Sequence, residues 1–415
     1  MVYLDNNAST RVDQAVIDAM MPYFTDIVSP PSSDYGHSFG VEAKTALDSA
    51  REIIASKINV NPSDIIFTSG QAESNNFAIK GIAYANRDKE ENLLVASSVS
   101  HSTVLDSLKT LEKQGFSVIL LKVDSEGFVD RDHLREIVSS TNKRPLLVSV
   151  PHGNVEIGTL ENIEEIASIC HEFNVPIHVE ATYSFCKVPL DASATDMTTI
   201  TSHLIHGPKG VGALYIRKGL KLQRLIDGGL QENKKRGGTE NLPGIVGFAK
   251  AAELYTPEIN KITQKLRDYL WNVFEQKIPD FQVTGPFDRD KRLPNHFSVV
   301  ISYVEGESIL LHLDILDFMI ATGSACSSKQ LKASHVLSAI GLPTEVSHGS
   351  VRVGVSKFNT QEELDQFVNH LASIVARLRE MSPMNAEFMR EWEEMKAQGV
   401  VPKDNHHHEF EDLEE

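Results

Sequence analysis

Two kinds of feature in this chain could support chemistry: a cysteine set among small polar residues, and polar side chains placed just after buried strand patterns. The cysteine is Cys326, in Ala321-Thr322-Gly323-Ser324-Ala325-Cys326-Ser327-Ser328-Lys329. A stretch so rich in Ser and Gly reads as a loop rather than core. A thiolate there is both a nucleophile and a soft ligand for iron. The other two cysteines read as structural: Cys170 shares a helical pattern with Ile166 and Ile169, and Cys186 is taken the same way.

The second group begins with Thr68-Ser69-Gly70-Gln71-Ala72-Glu73-Ser74-Asn75-Asn76. A strand ends, a glycine turns the chain and a helix starts. The first turn of a helix has unpaired N–H groups and the positive end of the dipole, so it can cradle a phosphate. Other strand–glycine–helix junctions look similar. Two further motifs, Pro151-His152-Gly153-Asn154-Val155-Glu156-Ile157-Gly158 and His178-Val179-Glu180-Ala181, each follow a buried strand. In α/β folds ligands bind at those carboxyl ends. An acidic residue at such a place calls for a cationic partner, either a protonated pyridine nitrogen or an ordinary lysine or arginine. The remaining motifs are Thr201-Ser202-His203-Leu204-Ile205-His206-Gly207-Pro208-Lys209-Gly210, and Gly228 to Glu232 followed by Arg236-Gly237-Gly238-Thr239-Glu240-Asn241.

The elements that must position these groups alternate. Strand patterns at Ile65–Thr68, Leu93–Ala96, Ser117–Leu120, Leu146–Ser149, Ile177–Val179 and Gly212–Ile216 are separated by amphipathic stretches such as Ile163–Phe173. That alternation predicts an α/β fold, a mostly parallel sheet with helices on both faces. After about residue 255 the pattern changes. A helix over Lys261–Phe274, strands near His296–Ile301 and Val351–Val355, and helices over Gly306–Asp314 and Gln361–Met381 suggest a smaller α+β unit. From about Met384 the chain reads as an acidic, mobile tail. Its His406-His407-His408 run could bind a metal, but a solvated tail is the simpler reading.

The chain has 415 residues, 41% hydrophobic and 23% charged, which suits a globular protein of two domains. A formal charge of −17 disfavours general nucleic-acid binding, which uses a basic surface. No apolar run approaches the roughly 18 to 20 residues that span a bilayer. Three cysteines argue against a disulfide framework, and the start of the chain shows no secretory pattern. The expected location is a reducing cytoplasm.

Taken in order, these motifs resemble the NifS/IscS-type cysteine desulfurases, a group of class-V aminotransferases with pyridoxal-phosphate (PLP) fold type I. The similarity includes the opening Tyr3-Leu4-Asp5-Asn6-Asn7-Ala8-Ser9 and covers about residues 1–383. It implies a large domain, 15–255, built on a mostly parallel seven-stranded sheet. A small domain of 1–14 and 256–383 would carry the Cys326 loop, leaving 384–415 as the tail. It further implies that Gly70, Gln71 and Ala72 lie at the cofactor phosphate with Thr201 and His203, and that His101 stacks on the ring. Glu180 stands where the family has an aspartate that pairs with the pyridine nitrogen. Asn154 and Arg352 would hold the amino-acid substrate, with Asn154 also near the cofactor, and Thr239 would reach the phosphate site of a neighbouring subunit. Cys326 would accept sulfur as a persulfide, or ligate an iron–sulfur cluster shared with a partner. The implied partners are a second copy of the chain, an IscU-type scaffold protein and L-cysteine.

The chain departs from that pattern at several points. Leu204 occupies the position of the lysine that forms the Schiff base. Leucine cannot form an imine or move protons, so PLP would be held non-covalently. Lys209 also occurs in ordinary family members and is no obvious substitute. Tyr183 replaces a glutamine that bonds the ring hydroxyl, Ala72 replaces a phosphate-binding threonine, and Glu180 is one methylene longer than aspartate. Ser29-Pro30-Pro31-Ser32-Ser33, with extra residues before His37, also differs from the usual form. Three readings follow: a degenerate or weakly active assembly partner relying on Cys326, an active cysteine desulfurase using free PLP, or a PLP or pyridoxamine-phosphate enzyme of another reaction type.

Overall fold

The computed structural model describes residues 1–87, 92–140, 144–323 and 334–381. Cys326, with the rest of the 324–333 segment, and the tail from 382 lie outside the described residues.

Among the described residues twelve strands are formed: β1 (Val2–Tyr3), β2 (Ile65–Thr68), β3 (Leu93–Ser97), β4 (Ser117–Leu121), β5 (Pro145–Pro151), β6 (Ile177–Glu180), β7 (Met197–Thr201), β8 (Gly212–Ile216), β9 (Phe281–Val283), β10 (His296–Ile301), β11 (Phe318–Met319) and β12 (Ser350–Gly354). Seven of them make one sheet in the order β2-β8-β7-β6-β5-β3-β4. All neighbours are parallel except around β8, which is antiparallel to both β2 and β7. This is the expected mostly parallel seven-stranded sheet.

Its topology places the chemistry. Two antiparallel steps through β8 leave β2 running the same way as β7, β6, β5 and β3. The carboxyl ends of these five strands therefore open at one edge of the sheet. There lie Gly70 after β2, His101 beyond β3, Asn154 after β5, Glu180 at the end of β6 and Thr201 at the end of β7.

β7, absent from the strand patterns of the sequence, is a central strand with every residue buried. Its threonines hide it from a search for apolar runs. Two of their three hydroxyls are satisfied by neighbouring side chains, Thr198 Oγ1 by Thr195 Oγ1 at 2.8 Å and Thr199 Oγ1 by His178 Nε2 at 3.0 Å, and the third, on Thr201, faces the strand end. A buried polar atom with such a partner escapes most of its desolvation cost.

A second core gathers Trp271, Phe274, Phe297 and Phe367. It is framed by helices Pro257–Lys277 and Gln361–Met381 and by the antiparallel sheet β12-β10-β9. Leu364, Phe367, Val368, Leu371, Ile374 and Val375 recur at helical spacing and form the buried face of the last helix. The start of the chain joins this core: β1 pairs with β11 in parallel and Leu4 is fully buried in it. Among the described residues, no helix is long and apolar enough to cross a membrane.

Candidate active site

The strand–glycine–helix junction forms where the sequence places it. Gly70 precedes the helix Gln71–Ala85 with φ of +141°, a region that side-chain-bearing residues rarely adopt. Thr68 Oγ1 meets Ser74 Oγ at 2.7 Å, tying the strand end to the first helical turn. Glu73 accepts the Ser69 N–H at 2.8 Å and pairs with Arg236 at 3.0 Å. These contacts hold Gln71 and Ala72 at the mouth of the turn. One polar atom nearby, Thr201 Oγ1, is buried without a partner among the described residues. His203 is half-buried beside it, its pKa pushed down to about 4 by burial and by Lys187 and Lys209. Its carbonyl accepts both the N–H and the hydroxyl of Thr10, which pins the N-terminal segment across the site. Thr239 is exposed and lines a cleft of about 140 Å³ with Ser69, Gly210 and Arg236.

The floor of the site is Glu180, 2% exposed. It accepts the Thr182 N–H at 2.8 Å, and Gln71 bonds its side chain. Among the described residues no lysine or arginine pairs with it. Burial accordingly pushes its pKa up to about 7. Beside it Tyr183, Leu204 and Leu293 form a small apolar cluster. Leu204 is 1% exposed, and the Tyr183 hydroxyl stands 3.5 Å from Gln71 Oε1.

His101 caps the helix Ser102–Glu112 through Nδ1, which accepts the Thr103 N–H at 3.2 Å. The ring proton therefore sits on Nε2. Burial, with His335 and Arg352 nearby, pushes its pKa down to about 4, so the ring is neutral at pH 7. Its ring lies 6.2 Å from that of Tyr183. Arg352 comes from β12, in the other core, and acts electrostatically on His101, Asp5, Glu156 and His296. Its Nε is buried without a partner among the described residues. The fold thus brings together His101 and Arg352, 251 positions apart in the chain.

Asn154 has a structural task in this arrangement. Its Nδ2 donates to the Val99 carbonyl at 2.9 Å and its Oδ1 accepts the N–H groups of Glu156 and Ile157 at 2.8 and 3.0 Å. Cys170 and Cys186 fit the structural reading: burial pushes each thiol up to about 12. Cys326 lies outside the described residues. Its described flanks approach Arg352 and Glu156: Gly323 donates to Ser350 Oγ at 2.9 Å, and Ser334 bonds the buried Glu156 carboxyl.

Two residues of the neighbourhood had no assigned role in the sequence, Glu156 and Lys187. Both are charged residues in turn segments, where exposure is the ordinary expectation. Lys187 is nevertheless 3% exposed. Only tertiary packing reveals this.

Comparison with known proteins agrees with this geometry. The family model described as aminotransferase class-V matches residues 2–367. The protein "Cysteine desulfurase IscS" of Dictyoglomus turgidum is 45% identical over 93% of this chain and 98% of its own. Among solved structures, a NifS-like protein superposes with a TM-score of 0.83 at 33% identity, covering 90% of this chain and 99% of that one. The structure "SspA in complex with cysteine" gives a TM-score of 0.76 at 32% identity, covering 87% and 100%. The family depends on PLP. The residues present fit that group: the helix Gln71–Ala85 begins beside the strand ends, Thr201 Oγ1 at the end of β7 is buried without a partner among the described residues, and Glu180 is a buried carboxyl with no cationic side chain paired to it among those residues. With the fold, the site edge and these relatives in agreement, the chain belongs to the class-V aminotransferase family, in its NifS/IscS-type cysteine desulfurase group.

Proposed function

We propose that this chain is a slow, partly degenerate cysteine desulfurase of iron–sulfur cluster assembly, working in the cytoplasm as a homodimer that serves an IscU-type scaffold. The observation that carries the reading is Leu204. It lies 1% exposed in an apolar cluster with Tyr183 and Leu293, at the position where the family resemblance expects an amine.

The residues divide the work. The first turn of the helix Gln71–Ala85 and Thr201 would hold the phosphate, Glu180 would pair with the pyridine nitrogen, and neutral His101 would pack on the ring. None of these contacts needs a bond from position 204. When bound, PLP supplies the electron sink for bond breaking in an amino acid. Arg352 grips the substrate carboxylate as a fork of donors. Cys326 takes the sulfur: L-cysteine and the Cys326 thiol yield L-alanine and a Cys326 persulfide, and the scaffold removes the outer sulfur or shares a cluster with the thiolate. Pairing with a protonated pyridine nitrogen would return Glu180 to its ionised form.

The homodimer is supported by apolar side chains left bare on one chain, including Tyr35 at 100%, Leu230 at 73% and Val28 at 70% exposure. Exposed Thr239 is suited to a neighbour's site.

Cys326→Ser tests the reading. Folding and dimerisation should persist while persulfide transfer to a scaffold protein, read by mass spectrometry, is abolished. A serine variant that transfers sulfur like the parent removes the main support.

A further inference from the structure

Lys187 is a buried lysine whose Nζ has no hydrogen-bond partner among the described residues. An ammonium in such a place bears the full desolvation cost. Burial pushes its pKa down to about 7, so a large share of molecules carry a neutral amine at neutral pH. As packing alone, a methionine would fill the same space without that cost. A buried, unpartnered amine is also the form in which lysine is a nucleophile.

Its location gives this amine a target. Lys187 ends the turn that follows β6, and Leu204 lies in the turn that follows β7. The strands are parallel neighbours, with Glu180 opposite Thr199, so the two turns emerge side by side. The Lys187 charge reaches His203, adjacent to Leu204, and also His296, whose N–H bonds the Leu293 carbonyl. Leu293 packs against Leu204 and Tyr183. The charge of this amine is thus felt at residues adjoining the apolar cluster on two sides.

We propose that Lys187 is the imine-forming amine of this chain, condensing from the neighbouring turn with the aldehyde of PLP as an anchor, without the proton transfers that a lysine at position 204 would supply. The proposal rests on the reading that this site takes PLP, and adds a reversible covalent hold to its contacts. In the condensation the amine nitrogen adds to the aldehyde carbon. A C=N bond forms, the C=O bond breaks, and the oxygen leaves as water with the two amine protons. No oxidant or reductant takes part.

The test is chemical trapping on the full-length protein. It is incubated with PLP, freed of excess by gel filtration, reduced with sodium borohydride, digested and mapped by mass spectrometry. The expected result is a pyridoxyl group on the peptide containing Lys187, reduced at least tenfold in Lys187→Met although that variant still retains PLP. Leu204→Lys should divert the adduct to the peptide spanning 201–209, which confirms that trapping works. An adduct on Lys209 or another lysine of the unaltered protein, or retained PLP with no adduct, overturns the proposal while leaving the site reading intact. Failure of the unaltered protein to retain PLP overturns both. Should Lys187→Met not fold, the peptide map of the unaltered protein decides.

Discussion

The Glu180 carboxylate accepts the backbone N–H of Thr182 at 2.8 Å and meets no cationic side chain among the described residues. A buried acid held this way prefers to be neutral. Its pKa rises from 4.5 to about 7 on folding. The stability this contributes is complete below pH 4.5 and is lost as pH rises through about 7. Glu180→Gln abolishes that loss. The gap between variant and parent, followed by urea unfolding of the PLP-free protein, should widen by about 3 kcal/mol across this window. The difference isolates Glu180 from buried histidines such as His101 and His203, whose lowered pKa values act with the opposite sign between 6.5 and about 4. A constant gap would show that Glu180 is ionised in the folded protein.

Leu204 sets the expected rate. With leucine at this position, sulfide release from L-cysteine should run at least about 100-fold below that of a lysine-bearing relative, since acid–base help alone is worth about 10²–10⁴. Leu204→Lys should raise it, within limits set by Ala72, Tyr183 and Glu180. Turnover by the unaltered protein at the rate of a lysine-bearing relative would contradict the slow-enzyme reading.

Arg51 and Glu232 support the loop that carries Arg236 and Thr239. Arg51 grips Glu232 through two bonds of 2.7 and 2.8 Å, and Glu232 also accepts the Phe67 N–H on β2. The side chains are 11% and 2% exposed. Glu232→Gln should cost about 3–5 kcal/mol, because it leaves a buried guanidinium without its counter-charge. Denaturant unfolding reads the effect, and a loss below 1 kcal/mol would mean that water replaces the carboxylate.

The dimer is open to direct measurement. Light scattering at micromolar concentration should give twice the chain mass of 46.0 kDa. Tyr35→Glu combined with Leu230→Glu should shift it toward monomer, since charges do not tolerate burial in an apolar interface. A monomeric unaltered protein counts against any role for Thr239 in a neighbour's site.

Much of this molecule was legible before folding. Gly70 could be read from its strand–glycine–helix setting, and the large sheet from β-branched runs alternating with amphipathic ones, because both depend on local periodicity and backbone sterics. The helix Gln361–Met381 appears with the bounds its spacing predicts. Other features belong to tertiary structure. Thr-rich β7 can be a central strand because neighbouring side chains satisfy the hydroxyls of Thr198 and Thr199. Asn154, expected at the substrate, spends both ends of its amide on nearby backbone. The charge of Arg352 reaches His101 only because the tertiary fold brings β12 toward the first sheet. Burial of Lys187 and the raised pKa of Glu180 are likewise invisible in a list of residue types. Sequence spacing governs which face a residue occupies; its exposure to water, and hence its charge, depends on what the rest of the chain brings against that face.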